Sequence, residues 1–228
     1  MHGFRIKFLL TFLMIFVCHG ACAAFPLVFK QSAEHQEYNP VAAQILAKAY
    51  QQAGYRIKPS KKENISHDGF LISQRDARKE YGDYIRIPVA IVKVRLLAYT
   101  QQRNEGTRYE YGLLGNRVAV VKGSRFAERY MEGLVSHQSD SAEGAFNRLR
   151  KNRVDIVLIP ELEAMSARNK VKGVVALSPA VKEVTMYHYV HKKHKHIVPK
   201  IKRALAKMER KDQISGIQRS YQQVLKSS

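Results

Sequence analysis

The sequence predicts an α/β protein of two lobes, joined by two extended crossing strands with a cleft between them. Three observations carry that expectation. Short apolar, β-branched runs alternate with helix-period segments along nearly the whole chain, as in parallel strands linked by helices. The pattern begins afresh after the polar stretch Gln101 to Asn116, so a second unit follows the first. Two long extended runs, Ile87 to Thr100 and Glu183 to His191, lead out of the first unit and back into it. Clefts at such junctions are the usual place for a small ligand.

The elements follow in order. Leu27 to Ser32 reads as a first strand, and Asn39-Pro40 opens a helix as cap and first-turn proline, with Val41, Ile45, Leu46 and Ala49 on one face and Gly54 closing it. Tyr55 to Pro59 and Gly69 to Ser73 read as strands, Arg75 to Tyr81 as a short polar helix or turn, and Ile87 to Thr100 as the first crossing. In the second unit Arg117 to Lys122 is a strand, Gly123-Ser124 a turn and cap, and Arg125 to Leu134 a helix. Asp140 and Glu143 then form a capping pair for the helix Ser141 to Lys151. Val154 to Ile159 reads as a buried strand, Glu161 to Asn169 as a helix, Val174 to Leu177 as a strand, and Glu183 to His191 as the return crossing. The tail from Val198 to Leu225 is helical, with Gly216 expected to break it in two.

The first residues read as an export leader: Arg5 and Lys7 without an acid, an apolar run from Phe8 to Val17, and Ala21-Cys22-Ala23 as a small-x-small cleavage site. The run of about ten residues is short for a bilayer-crossing helix. Residues 1–23 are therefore expected to be removed, leaving a periplasmic protein. Both cysteines, Cys18 and Cys22, would leave with the leader, so the fold must be held by an ordinary core. Cys22 also raises lipidation, against which His19 stands where an aliphatic residue is expected. The chain carries 39 Lys+Arg against 19 Asp+Glu, a net charge of +20. Such a surplus favours anionic partners. Export argues against nucleic acid, and no basic stripe with interleaved aromatics supports it.

The order of these segments resembles periplasmic solute-binding proteins of family 3, the receptors of polar amino-acid importers. The resemblance rests on the opening strand and capped helix, Asp68-Gly69, and Ser73-Gln74-Arg75-Asp76-Ala77-Arg78. It continues through the crossing strand, Gly115-Asn116-Arg117-Val118-Ala119-Val120 running into Gly123-Ser124, Ala145-Phe146-Asn147-Arg148-Leu149, and Arg153-Val154-Asp155-Ile156-Val157. It implies a periplasmic-binding-protein type II fold, with residues 24–98 and 184–228 as a discontinuous first lobe and 99–183 as the second, closing on a ligand without chemistry. It further implies that Arg75 or Arg78 pairs with a ligand carboxylate, helped by Ser124 at a helix start. A guanidinium fork suits a carboxylate and helix N-termini favour anions. The family's ammonium-binding acid falls at Pro160, so the carboxylate is missing there. Glu161 next door is the substitute, with helix capping as its alternative role, and without the acid a simple carboxylate or other anionic solute is expected rather than an ordinary α-amino acid. Glu34, Tyr38 and Asn39 follow the first strand, where such folds place cleft contacts, and Tyr38 is the one suited to stacking or hydrogen bonding. Tyr99, Tyr187 and Tyr189 lie on the crossings, with hinge packing as their alternative.

His188, His191, His194 and His196 are interleaved with Lys192, Lys193 and Lys195, which repel a cation, so a solvated turn is favoured over a metal site. No nucleophile elbow, phosphate loop or carboxylate pair is present. The expectation is thus a non-catalytic, cofactor-free, monomeric solute-binding protein for a small polar molecule, carboxylate-bearing or otherwise anionic, serving a membrane importer or a sensor. The alternative is the same fold acting through its basic surface on an anionic surface or protein partner, without a small ligand.

Overall fold

The computed structural model of the chain describes residues 25–74, 82–104, 113 and 115–227. The leader, Arg75, Arg78 and the rest of the 75–81 segment lie outside the described residues.

Among the described residues nine strands form one curled sheet in the order β2-β1-β3-β9-β4-β7-β5-β6, with β8 paired to β4. The first half contains β1 (Leu27–Lys30), α1 (Asn39–Gln52), β2 (Ile57–Ser60) and β3 (Gly69–Gln74). β1 lies parallel to β2 and β3. β4 (Tyr84–Gln101) then runs the length of the molecule. Beyond it come β5 (Val118–Val121), α2 (Arg125–Tyr130), β6 (His137–Ser139), α3 (Ala142–Arg150), β7 (Ile156–Pro160), α4 (Glu161–Arg168) and β8 (Val174–Ala176). β5 is parallel to β6 and β7. β9 (Lys182–His191) returns antiparallel to β4 and β3, and α5 (Val198–Arg210) and α6 (Gln213–Ser227) complete the fold. β4 pairs with β9 up to Leu96, and from Leu96 to Tyr99 it pairs with β7, so the two long strands are the passage between the halves.

The apolar runs of β5 and β7 are continuous because both faces are covered. Ile156 and Leu158 face one core cluster, while Val157 and Ile159 face the other. The larger cluster gathers Phe29, Ile45, Leu46, Tyr50, Leu71, Ile91, Ile201 and Leu205, and continues through Val118, Val120 and Phe126 into the second half. The smaller packs Phe146 and Leu149 of α3 on Leu97 and Tyr99 of β4.

α1 begins at Asn39 with Pro40 in its first turn, but Asn39 does not cap it. Its side chain instead accepts from Ser32 N at 2.9 Å and donates to Ser32 O at 2.8 Å, which pins the loop between β1 and α1. Ser141, rather than the expected Asp140, caps α3 by accepting from Gly144 N, because the helix starts at Ala142. Three further expectations change. β6 is an additional strand, α2 stops at Tyr130 rather than Leu134, and Gly216 lies inside α6. The tail turns at Lys211-Asp212, where Asp212 takes φ +52°. An internal glycine costs only about 1 kcal/mol relative to alanine, and helix packing outweighs it.

The histidines each have a separate place. His188 is fully buried, with Nδ1 3.1 Å from Leu71 O and Nε2 2.8 Å from Tyr50 Oη. The carbonyl can only accept, so Nδ1 carries the proton and Nε2 accepts from the tyrosine hydroxyl. Burial pushes its pKa down to about 4, which keeps this pair neutral. His194 Nε2 lies 2.7 Å from Asp68, whose other oxygen accepts from Val28 N at 2.7 Å. His191 accepts from Lys193 N at 3.1 Å. Among the described residues no three His, Cys, Asp or Glu converge to hold a metal ion.

Candidate functional site

The loop after β1 and the short 3-10 turn Gln36–Tyr38 form the first half's side of a seam with the second half. Asn39 and Ser32 hold this loop, and His35 N donates to Ser32 Oγ at 3.1 Å. Facing it are α2 and α4. Arg129 Nη1 donates to Glu34 Oε2 at 2.9 Å, and the His35 ring packs edge-on against Phe126 with centroids 5.0 Å apart. The charge of Glu163 on α4 is felt at Glu37. Residues separated by about a hundred positions therefore close on one another.

Carboxylates dominate the seam, and the Ser124 hydroxyl, the Gly123 N–H and the Arg129 guanidinium already donate to some of them. Ser124 Oγ donates to Glu163 Oε2 at 2.8 Å, and Gly123 N donates to Glu128 Oε1 at 2.8 Å. Glu34 Oε1, both ring nitrogens of His35, Glu37 Oε1 and Tyr38 Oη are buried without a hydrogen-bond partner among the described residues. Buried polar groups normally have partners, so four consecutive-region exceptions mark one place in the molecule. His35 is only 1% exposed, and burial together with the Arg129 charge lowers its pKa to about 4, leaving it neutral. Burial pushes the Glu37 carboxyl up to about 7, against the effect of its own backbone N–H and with a further rise from Glu163. Burial likewise raises Glu163, partly offset by the Ser124 hydroxyl.

Of the residues singled out from sequence, Tyr38 is buried at this seam and also borders a cavity of about 300 Å³ between α1, the crossing strands, α4 and α6. Ser124 meets Glu163 rather than presenting a free hydroxyl. Glu161 forms a two-point ion pair with Arg95 of β4, one arm being Nε to Oε2 at 3.0 Å, on the wall of that cavity. Tyr99 packs on Phe146, and Tyr189 Oη donates to Gln74 O at 2.6 Å. His35, Glu37, Arg129 and Glu163 were not singled out. The nearest sequence signal was the acid-rich loop Glu34-His35-Gln36-Glu37 between a strand and a capped helix.

This architecture is the periplasmic-binding-protein type II fold. No protein-family model matches the chain. In sequence it is 24% identical over 224 residues to an uncharacterized protein of Shewanella oneidensis, covering 89% of this chain and 82% of that protein. In structure it is similar to the GluR0 ligand-binding core in complex with L-glutamate, with TM-score 0.65, 12% identity, and coverage of 87% of this chain and 99% of that one. It is similar also to the second substrate-binding domain of a putative amino acid ABC transporter from Streptococcus pneumoniae, with TM-score 0.63, 12% identity, and 86% and 99% coverage. A histidine kinase sensor domain with similarity to periplasmic binding proteins matches with TM-score 0.57, 13% identity, and 86% and 96% coverage. These neighbours are binding and sensing domains. No helix among the described residues is long and apolar enough to cross a membrane.

Proposed function

We propose that the chain is an exported, non-catalytic receptor of the family 3 type that encloses a small polar solute between its lobes, residues 24–98 with 184–228 and residues 99–183. The carrying observation is the pair of buried, partnerless carboxylate oxygens at Glu34 and Glu37 where the halves meet. Acceptors of this kind call for a ligand with hydrogen-bond donors, foremost an amino or guanidino group. Glu37 and Glu163 take the role that the proline at position 160 left open, while Arg75 or Arg78 holds a carboxylate at the ligand's other end. The solute is then anionic at one end and donor-bearing at the other. Neighbours solved with L-glutamate or L-arginine support that choice of chemistry. Closure follows from the ligand's higher affinity for the closed state, and the closed form serves an importer or a sensor from the periplasm.

Thermal-shift and calorimetric titration of the chain from Ala24 onward tests this reading, with three panels: α-amino acids, amines lacking a carboxylate, and dicarboxylates. An amino acid at about 100 times its Kd is expected to add about 2.7 kcal/mol of stability. Arg75→Ala or Arg78→Ala is expected to lose about 2–5 kcal/mol of binding, whichever guanidinium holds the carboxylate. A dicarboxylate as the sole ligand, or full affinity in both arginine variants, overturns the assignment.

A further inference from the structure

The side of the first half away from the seam carries a second candidate surface. An open groove of about 590 Å³ runs between the C-terminal end of α1, at Gln52 and Ala53, and the outer face of α5. Its walls carry Lys200, Arg203, Lys207 and Lys211, with Ala204 and Gln213 between them, and no acid lines it. The spacing of three and four residues puts Lys200, Arg203 and Lys207 on one stripe of α5 with Lys211 at its C-cap, a span of about 16 Å. All four are exposed, and none belongs to an ion pair among the described residues. Lys202 and Arg210 add to the same helix, where Glu209 is the single acid, and Lys48 stands one turn before Gln52 on an α1 that has no acid at all.

Like charges at this spacing oppose one another, and cations in the first turn of α5 oppose the helix dipole. Lys207 and Lys211 complement the dipole at the helix C-terminus and Lys200 stands 5.8 Å from the Tyr55 ring centroid, but no acid lining the groove answers the stripe's charge, so its field is available to an outside anion. The stripe is too long for one small anion and requires several negative groups spread along it. An acidic protein partner would need an apolar or aromatic anchor at the centre of its interface. The exposed large apolar residues, Phe25, Ile65, Tyr130, Leu134, Val135 and Val224, do not line the groove. A sheet of phosphate headgroups needs only charge.

We propose that the α5 stripe, with Lys200, Arg203, Lys207 and Lys211 at its centre, docks the protein electrostatically on an anionic phospholipid surface. α1 starts at the seam and ends at this groove, about 20 Å away, so a docked molecule keeps its cleft open to solutes. This inference does not depend on the solute-receptor reading.

The test is sedimentation with vesicles of phosphatidylcholine alone and with about one-third phosphatidylglycerol, a composition that supplies the surface charge invoked. The wild-type chain is expected to bind only the anionic vesicles and to be released as salt rises several-fold. Each cation near such a surface contributes about a five-fold change in partitioning, so the quadruple variant K200Q/R203Q/K207Q/K211Q should lose two decades or more, at about this scale. A charge-matched control, K151Q/R153Q/K170Q/K172Q, removes four exposed cations from the second half and should lose far less. Equal loss in both variants, no binding by wild type at low salt, or equally tight binding to polyglutamate that displaces the vesicles would overturn the proposal. Unchanged thermal melting of both variants establishes that folding is intact, as expected for exposed positions.

Discussion

Replacing Glu37 by glutamine should stabilise the protein at neutral and alkaline pH and change little in acid. In the unfolded chain this carboxyl ionises near its ordinary 4.5, whereas burial and then the Glu163 charge hold it at about 7 in the folded state. Between those values the folded protein keeps a proton that the unfolded chain has lost. Stability therefore falls as pH climbs from 4.5 through 7, by about 1.4 kcal/mol per pH unit. Above pH 7 the buried carboxylate costs about 3 kcal/mol, an upper value because the side chain keeps a water-facing edge. Glutamine cannot ionise. The stability difference between variant and wild type should be flat below pH 4.5, rise through the window, and level off above 7. His35 and His188, both lowered to about 4, impose the opposite slope, since the unfolded state binds their protons between 4 and 6.5. That slope is present in both proteins and drops out of the difference. Urea unfolding of the pair at about pH 4, 5.5, 7 and 8.5 measures it. Parallel pH curves would refute the burial of an ionisable Glu37. An amine-bearing ligand should favour the ionised form, so binding near pH 6 should release a proton, visible as a buffer-dependent binding enthalpy.

Gly69→Ala should be severely destabilising, because a Cβ there would stand 2.0 Å from the carbonyl oxygen of Tyr189 and 2.9 Å from Phe29 Cε1. β3 would have to leave β9, at a cost expected to exceed about 3 kcal/mol, and an unchanged urea midpoint would contradict the strand pairing. Arg129→Ala should raise the pKa of His35 from about 4 while leaving it below 6.5, since burial is the larger cause and the arginine charge the smaller. An NMR titration of the ring reads this directly, and no movement would mean that Arg129 does not face His35.

Strands with both faces buried were legible because every residue in them is apolar: Val118 to Val121 and Ile156 to Ile159 leave no other place for so much hydrocarbon. β6 was not, because His137-Gln138-Ser139 is a polar edge segment paired only to β5. The turn in the tail was placed at Gly216 on composition, yet the chain reverses at Asp212 in a left-handed conformation that aspartate tolerates. At the seam, position alone pointed to Glu34 and Tyr38, since both follow the first strand. His35 and Glu37 sit beside them and share their burial, but a loop residue's exposure depends on what closes over it. That cover is α2 and α4, about a hundred residues on, and neither Arg129 nor Glu163 carries a local signal of its role. Ser124 and Glu161 looked like helix-start residues from their neighbours alone, and long-range partners, Glu163 and Arg95, have taken them up.

The distribution of charge suggests how closure is governed in the proposed receptor. In a chain of net charge +20, with cations to spare, Glu34, Glu37, Glu128 and Glu163 are gathered at the seam, and among the described residues Arg129, the Ser124 hydroxyl, the Gly123 N–H and the backbone N–H of Glu37 meet them. Closing the seam removes these acceptors from water, and each one left unpaired costs about 1–3 kcal/mol. Two or three such groups supply the roughly 5.5 kcal/mol that separates a two-state equilibrium at 1:99 from one at 99:1. The unpaired acceptors oppose the closed seam, and in the proposed receptor a ligand whose donors fill them removes that penalty. Glu37→Gln tests that step as well as its own pKa: by removing a carboxyl whose ionisation above pH 7 opposes the closed seam, it should favour the closed form at alkaline pH while weakening its grip on an amine.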